Sequence, residues 1–159
     1  MIKAFLCNKN VHKPWKGGMG SFVLINFISC FLQKEYKKRV LSIQEPLALH
    51  ALVINFLDYL GNILRHKKAG LSILYGGFAF NRFDESLRVG DSFGVSTPML
   101  MSPLCPIDDL GISLRMFGQI IKPIFSKAAL SLGKHSTDNE IYKSFVEILI
   151  PEVRAFREI

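Results

Sequence analysis

Most of the marks by which a sequence reveals an activity are missing from this chain of 159 residues. It has no run of about 20 apolar residues, the length a helix needs to cross a bilayer. Its longest uncharged stretch, 17–33, is broken by glycines, serines, an Asn and a Gln, and the apolar part, 19–32, is too short to span. A buried helix is the reading, and no membrane partner is expected. The N-terminal Met-Ile-Lys-Ala-Phe lacks the order of a secretory signal. The three cysteines, Cys7, Cys30 and Cys105, are odd in number and far apart, without a CxxC pair. That argues against disulfides and a zinc site and fits a reducing, intracellular compartment. No GxxxxGK[ST], HExxH or GxSxG occurs. Asp108-Asp109 and Asp84-Glu85 are adjacent pairs, not the Asp-x-Asp that turns two carboxylates to one face of a strand for metal ions. His12, His50, His66 and His135 are scattered, so no metal ligands are assigned.

What the chain does have is apolar mass and lopsided charge. It is 49% hydrophobic and 21% charged, with 13 Phe against one Trp and four Tyr, enough to bury a core rich in phenylalanine. Residues 1–68 hold 11 Lys and Arg against 3 acids, a net of +8, and residues 69–159 hold 9 against 10, a net of −1. A basic half of this kind points to a polyanionic partner.

Periodicity predicts a mainly helical domain with a small β-hairpin. Ile2, Phe5 and Leu6 form a helical stripe, and a glycine-rich loop follows over 11–20. Residues 21–33 read as a helix apolar nearly all round, hence central to the core, running out in the basic residues Lys34, Lys37, Lys38 and Arg39. Ser42-Ile-Gln-Glu45 has capping-box spacing ahead of a helix over 47–60, with Gly61 as its stop. A second basic knot holds Arg65, Lys67 and Lys68. Two short apolar runs, 71–75 and 78–80, flank Gly76-Gly77 as a two-residue hairpin turn. Residues 81–112, with Pro98, Pro103 and Pro106, read as one long loop. A helix over 114–132 closes at Gly133. A last amphipathic helix begins at Thr137-Asp-Asn-Glu140 and continues through Tyr142, Phe145, Val146, Leu149, Val153 and Phe156, kinked at Pro151.

One constellation carries chemistry. Gly17-Gly18-Met19-Gly20-Ser21-Phe22 is a flexible turn feeding a helix whose first residues are a hydroxyl and an aromatic ring. A helix N-terminus offers free N–H groups and the positive end of a dipole to a phosphate, and an exposed ring can stack on a base. Lys3 would add a point charge. The alternative reading of the same residues is structural: glycines for a tight turn, Ser21 as an N-cap and Phe22 in the core.

These residues, with four further segments in the same order, resemble the central domain of the sigma-type, template-independent poly(A) RNA polymerases of the DNA polymerase β-like nucleotidyltransferase superfamily. The resemblance runs through Ile2-Lys3-x-Phe5 and the Gly17–Phe22 motif, the helix Val53-Ile-Asn-Phe-Leu-Asp-Tyr-Leu-Gly61, the hairpin Gly70-Leu-Ser-Ile-Leu-Tyr-Gly-Gly-Phe78, the loop Met101-Ser-Pro-Leu-Cys-Pro-Ile-Asp-Asp-Leu-Gly111 and the closing Val153-Arg-Ala-Phe-Arg157. It implies the helical central domain of a poly(A) polymerase over 1–133, lacking its N-terminal part, with a C-terminal helix, 134–159, packed on it. It further implies adenylate addition to RNA 3′ ends, with ATP as substrate and Mg or Mn held by a catalytic domain whose Gly-Ser and aspartate motifs this chain lacks. The isolated chain is therefore expected to be inactive. Lys3 and Ser21 match phosphate-contacting positions, Phe22 a base-stacking one and Asp108 a base-reading one. Lys34, Lys37, Lys38, Arg39, Arg65, Lys67 and Lys68 are candidates for RNA or partner contact. The implied partners are an RNA 3′ end and a helicase or RNA-binding surveillance protein, in the nucleus. Ser102 and Ile112 depart from the family pattern, which has Asp and Arg there, and Phe22 lacks the hydroxyl of the commoner Tyr. The alternative is a non-catalytic RNA- or protein-binding module, a pseudoenzyme remnant or adaptor.

Overall fold

The computed structural model describes residues 1–42, 48–84, 86, 96–133, 140 and 143. Helix α1 (Ile2–Asn8) is followed by a loop with a short 3-10 turn and then by α2 (Ser21–Ser42), the longest element. Helix α3 (Leu49–Asp58) runs on into a π turn over Tyr59–Ile63. Strands β1 (Ala69–Ser72), β2 (Phe78–Asn81) and β3 (Met99–Leu100) form one sheet in the order β2-β1-β3. A second π turn, Phe117–Ile121, leads into α4 (Lys122–Leu132). The mainly helical class with a small sheet is the one expected.

The core is rich in phenylalanine beside its leucines, as the composition implied. Phe5 and Phe125 stack with centroids 6.2 Å apart, Phe27 and Phe117 at 6.1 Å, and Phe31 meets Phe56 edge-on at 5.5 Å. Such pairs add about 0.5–1.5 kcal/mol each beyond the area they bury. Together they bind α1, α2, α3 and α4 into one cluster.

Five local expectations change, the first being that the helix expected from 114 opens only at Phe117 as a π turn, with α4 from Lys122. Helix α2 does not end at residue 33 but carries its basic residues as helix to Ser42. Gly61 does not stop α3; it sits inside the π turn, where a Cβ would lie 2.4 Å from the Ser126 nitrogen of α4, so its role is close helix packing. The hairpin connection is longer than two residues. A 3-10 turn, Leu74–Gly76, lies between the strands, and Tyr75, Gly76 and Gly77 all take positive φ. The expected loop over 81–112 contributes a third strand, with Gly70 opposite Met99 and Leu71 opposite Leu100 in parallel register. Two residues leave too little period to recognise in a sequence. The capping box lies mostly outside the described residues, and α3 starts after Ala48 without a side-chain cap. The C-terminal helix also lies outside them, apart from Glu140 and Lys143. Among the described residues no helix is long and apolar enough to cross a membrane.

Candidate functional site

The glycine loop is held as a platform for the start of α2. Met19 N–H donates to the Val11 carbonyl at 2.7 Å, Gly18 N–H to Lys13 at 2.9 Å and Gly17 N–H to Pro14 at 2.8 Å. The Gly20 carbonyl accepts the first bond of the helix, from Leu24 at 2.9 Å. Ser21 is therefore the first helical residue and not the cap, and it is exposed. Phe22 is 45% exposed, which removes it from the core. The opening N–H groups of α2 have no partner one turn earlier in the helix, the general condition of a helix start. Lys3 is exposed on α1.

The second predicted segment is fixed by Asp109. Its Oδ1 accepts from Leu100 N–H at 2.9 Å and from Gly111 N–H at 2.8 Å, while Met101 and Asp109 form a β-bridge. Asp108 gives its backbone to the same turn: its N–H donates to Cys105 and its carbonyl accepts from Ser102 N–H, both at 2.9 Å. Its carboxylate is left at the exposed surface. The adjacent acids thus divide their work, one tying the loop and one facing solvent. Ser102, where the family pattern has Asp, accepts from Leu104 N–H at 3.3 Å and from Cys105 N–H at 3.4 Å. A hydroxyl makes the same kind of local turn an Asp would, more weakly. Ile112 is 62% exposed, so the missing Arg leaves no buried gap. Gly111 cannot be replaced without movement, since a Cβ there would overlap the Pro98 carbonyl oxygen.

These two segments meet. Met116 N–H donates to the Gly17 carbonyl at 2.9 Å, and Gly17 packs on Arg115 and Met116. The glycine motif and the chain leaving the Asp108 loop are therefore braced against each other. No hydrogen bond or ion pair joins Lys3, Ser21 and Asp108 to one another among the described residues.

The basic residues separate into groups. Lys34 Nζ lies 4.4 Å from the centroid of the Tyr59 ring, and Lys37 Nζ donates to the Gly77 carbonyl at 2.8 Å. Lys38 is exposed and Arg39 half-buried, and both make contacts of their own. Arg65, Lys67 and Lys68 are exposed around His66. That histidine is buried edge-on to Phe117, and its pKa is pushed down by desolvation and then by the charges of Lys122, Lys67 and Arg82. Periodicity missed a cleft of about 280 Å³ between α2 and the hairpin, lined by Cys30, Lys34, Lys37, Tyr59, Leu71, Gly77, Phe78 and Ala79. The available signal was the i, i+3 spacing of Lys34 and Lys37, unused because the helix was expected to stop at 33. Arg82, buried and donating to the carbonyls of Thr97 and His66, gave no signal at all. Among the described residues no three His, Cys, Asp or Glu side chains converge as a metal ion requires.

No family profile matches the chain. It is 32% identical over 96 residues to Poly(A) RNA polymerase CID14 of Cryptococcus neoformans, covering 60% of this chain and 13% of that protein. It is 30% identical over 115 residues to Trf4-2 of Drosophila melanogaster, named an inactive poly(A) RNA polymerase protein, covering 71% and 28% respectively. Among solved structures it superposes with a TM-score of 0.77 on the polymerase core of TRAMP, an RNA surveillance complex, at 16% identity. That match covers 94% of this chain and 48% of the solved one, and it shows a shared fold. The chain thus spans less than half the length of each of these proteins.

Proposed function

Taking as premise that this chain is a relative of the template-independent poly(A) RNA polymerases over their central domain, we propose that it forms one wall of the nucleotide cleft of an RNA adenylyltransferase. In this reading AMP from ATP is added to RNA 3′ ends during RNA surveillance or processing. Phe22 stacks on the base, Ser21 and the first N–H groups of α2 receive phosphate, Lys3 supplies charge, and Asp108 accepts from the adenine amino group as acidic side chains do from amino donors on bases. The single observation that carries the reading is the exposed Phe22 ring on a glycine platform braced to the segment that presents Asp108. The described residues do not fit a divalent metal, so no step is routed through one on this chain. Mg or Mn belongs, in this proposal, to a catalytic domain carrying the Asp-x-Asp that this sequence does not contain. In this proposal the domain is residues 1–133, and the closing helix that the sequence predicts over 134–159 lies outside the described residues apart from Glu140 and Lys143. The exposed basic residues face RNA or a helicase or RNA-binding surveillance partner, in the nucleus.

ATP binding by the purified chain tests this. Phe22→Ala is expected to weaken binding about 10-fold, within the roughly 1–3 kcal/mol that a base–aromatic stack contributes, with the fold intact. Unchanged affinity, or loss of the fold, would remove Phe22 from the site. A second reading, a non-catalytic binding module, is favoured by the relative named inactive. ATP binding that fails in the wild type, with RNA binding retained, would select it. The chain alone is expected not to extend an RNA primer, and robust ATP-dependent extension would return attention to Asp84, Asp108 and Asp109.

A further inference from the structure

The cleft between α2 and the hairpin lies outside the set Lys3, Ser21, Phe22 and Asp108. Its lining includes the apolar Leu71, the buried Cys30 and the aromatic residues Tyr59 and Phe78. At about 280 Å³ it lies just below the range of ligand pockets, roughly 300–1,000 Å³, so it has room for one ring system and not a long ligand. Both cations at its mouth are held in place before anything binds. Lys34 sits on the face of Tyr59, and Lys37 is anchored on the Gly77 carbonyl. An ammonium has three donors, and the Gly77 contact uses one on Lys37, so both lysines retain N–H groups for an anion. Neither has a carboxylate partner among the described residues, and no acid lines the cleft. Burial also keeps the interior neutral, raising the Cys30 thiol and the Tyr59 hydroxyl to about 12 each.

We infer that this cleft is a subsite for single-stranded RNA, taking one unpaired base against the half-buried Phe78 ring while Lys34, held on Tyr59, and Lys37 hold the adjoining phosphates. Charge complementarity names an anion, and a small apolar cleft with the Phe78 ring in its lining names a flat one. An acidic peptide answers the charge but offers no planar group for the cleft. Fixed cations lower the ordering cost of binding, since less side-chain freedom is lost when the phosphate arrives. The inference rests on the RNA reading above, and it singles out Lys34 and Lys37 from the seven basic candidates.

The test uses the full chain, a short fluorescein-labelled oligo(A) and anisotropy titrations over a range of salt. For Lys34→Gln/Lys37→Gln the salt slope of log affinity should fall by about 1.4, since a single strand loses about 0.7 per phosphate contact removed. Affinity at low salt should fall about 10-fold or more. Phe78→Ala should weaken binding about 10-fold with the slope unchanged, as loss of a stack does. Lys37 also secures the hairpin, so Lys34→Gln alone, which leaves the Gly77 bond in place, guards against misfolding and should lower the slope by about 0.7. An unchanged slope and affinity in these variants would overturn the subsite. So would displacement of the RNA by polyglutamate at lower concentration than unlabelled oligo(A), which would assign the cleft to an acidic protein. ATP binding through Phe22, measured on the same variants, should be unaffected. Its loss in the wild type would count against the adenylyltransferase reading and leave the RNA result standing.

Discussion

The two sides of α2 are nearly equal in hydrophobicity and opposite in fate. On one side Val23, Leu24, Phe27, Cys30 and Phe31 are buried, with Phe27 fully so. On the other, Phe22, Ile25, Leu32, Tyr36 and Val40 are 45%, 59%, 44%, 70% and 57% exposed. Both sets follow the three- and four-residue spacing of a helix face. Burial on the inner side comes from what packs there: the aromatic rings of α3 and of the segment leading into α4, closing on Phe27 and Phe31. Among the described residues the outer side has no such layer, and its N-terminal residue is the ring proposed to stack on a base. An apolar residue is therefore not by itself a core residue; the opposing surface decides. The same aromatic type stabilises the fold at 27 and is available to a ligand at 22.

Substitutions along the helix can break this contrast. The largest effect is expected at Phe27→Ala, which should cost about 3–5 kcal/mol in denaturant unfolding because a large cavity opens in a cluster that cannot collapse. A loss as small as that of a surface change would mean the inner face is not the core. Next comes pH. Cys30 on the inner face is raised from 9.0 to about 12, and Tyr59 from 10.0 to about 12, by burial. Groups whose folded pKa is raised contribute stability below the unfolded value and lose it as pH climbs toward the folded value. Urea midpoints should therefore decline between about pH 9 and 12, apart from a separate acid-side loss below about 6.5 from the buried His66, and Cys30→Ala should make the alkaline decline shallower. Phe22→Ala should change unfolding free energy by no more than about 0.5 kcal/mol, while weakening ATP binding as described. Smallest of all, Ile25→Ala and Leu32→Ala should each stay within about 0.5 kcal/mol of wild type. A cost of several kcal/mol at either would show that the outer face is covered in solution.

Much of the fold was legible in the sequence because it rests on short-range pattern. The helical stripe at Ile2, Phe5 and Leu6, the helix expected over 47–60, the glycine turn into α2 and the two strands around Gly76-Gly77 all appear near where periodicity and turn chemistry put them. Misreadings arose where a residue answers to a distant neighbour. Gly61 looked like a helix stop, but its missing Cβ admits α4. Met99 and Leu100 looked like loop, but β1 pairs with them across the chain. The candidate site was half legible. Lys3, Ser21, Phe22 and Asp108 stand out by residue type and resemblance, whereas the Lys34–Tyr59 pair and the cleft behind it need elements far apart in the chain.

Composition and local order were enough to establish a mainly helical, phenylalanine-rich domain with a basic first half and a glycine motif opening its longest helix. These are properties of charge count, backbone freedom and periodicity, which act over a few residues. Tertiary structure alone decided which ring of α2 is core and which faces solvent, which of two neighbouring aspartates ties the loop, and that two lysines line a cleft with aromatic residues. The physical reason is the same each time: burial, hydrogen bonding and charge pairing are set by the surface opposite a side chain, and the chain must fold before that surface exists.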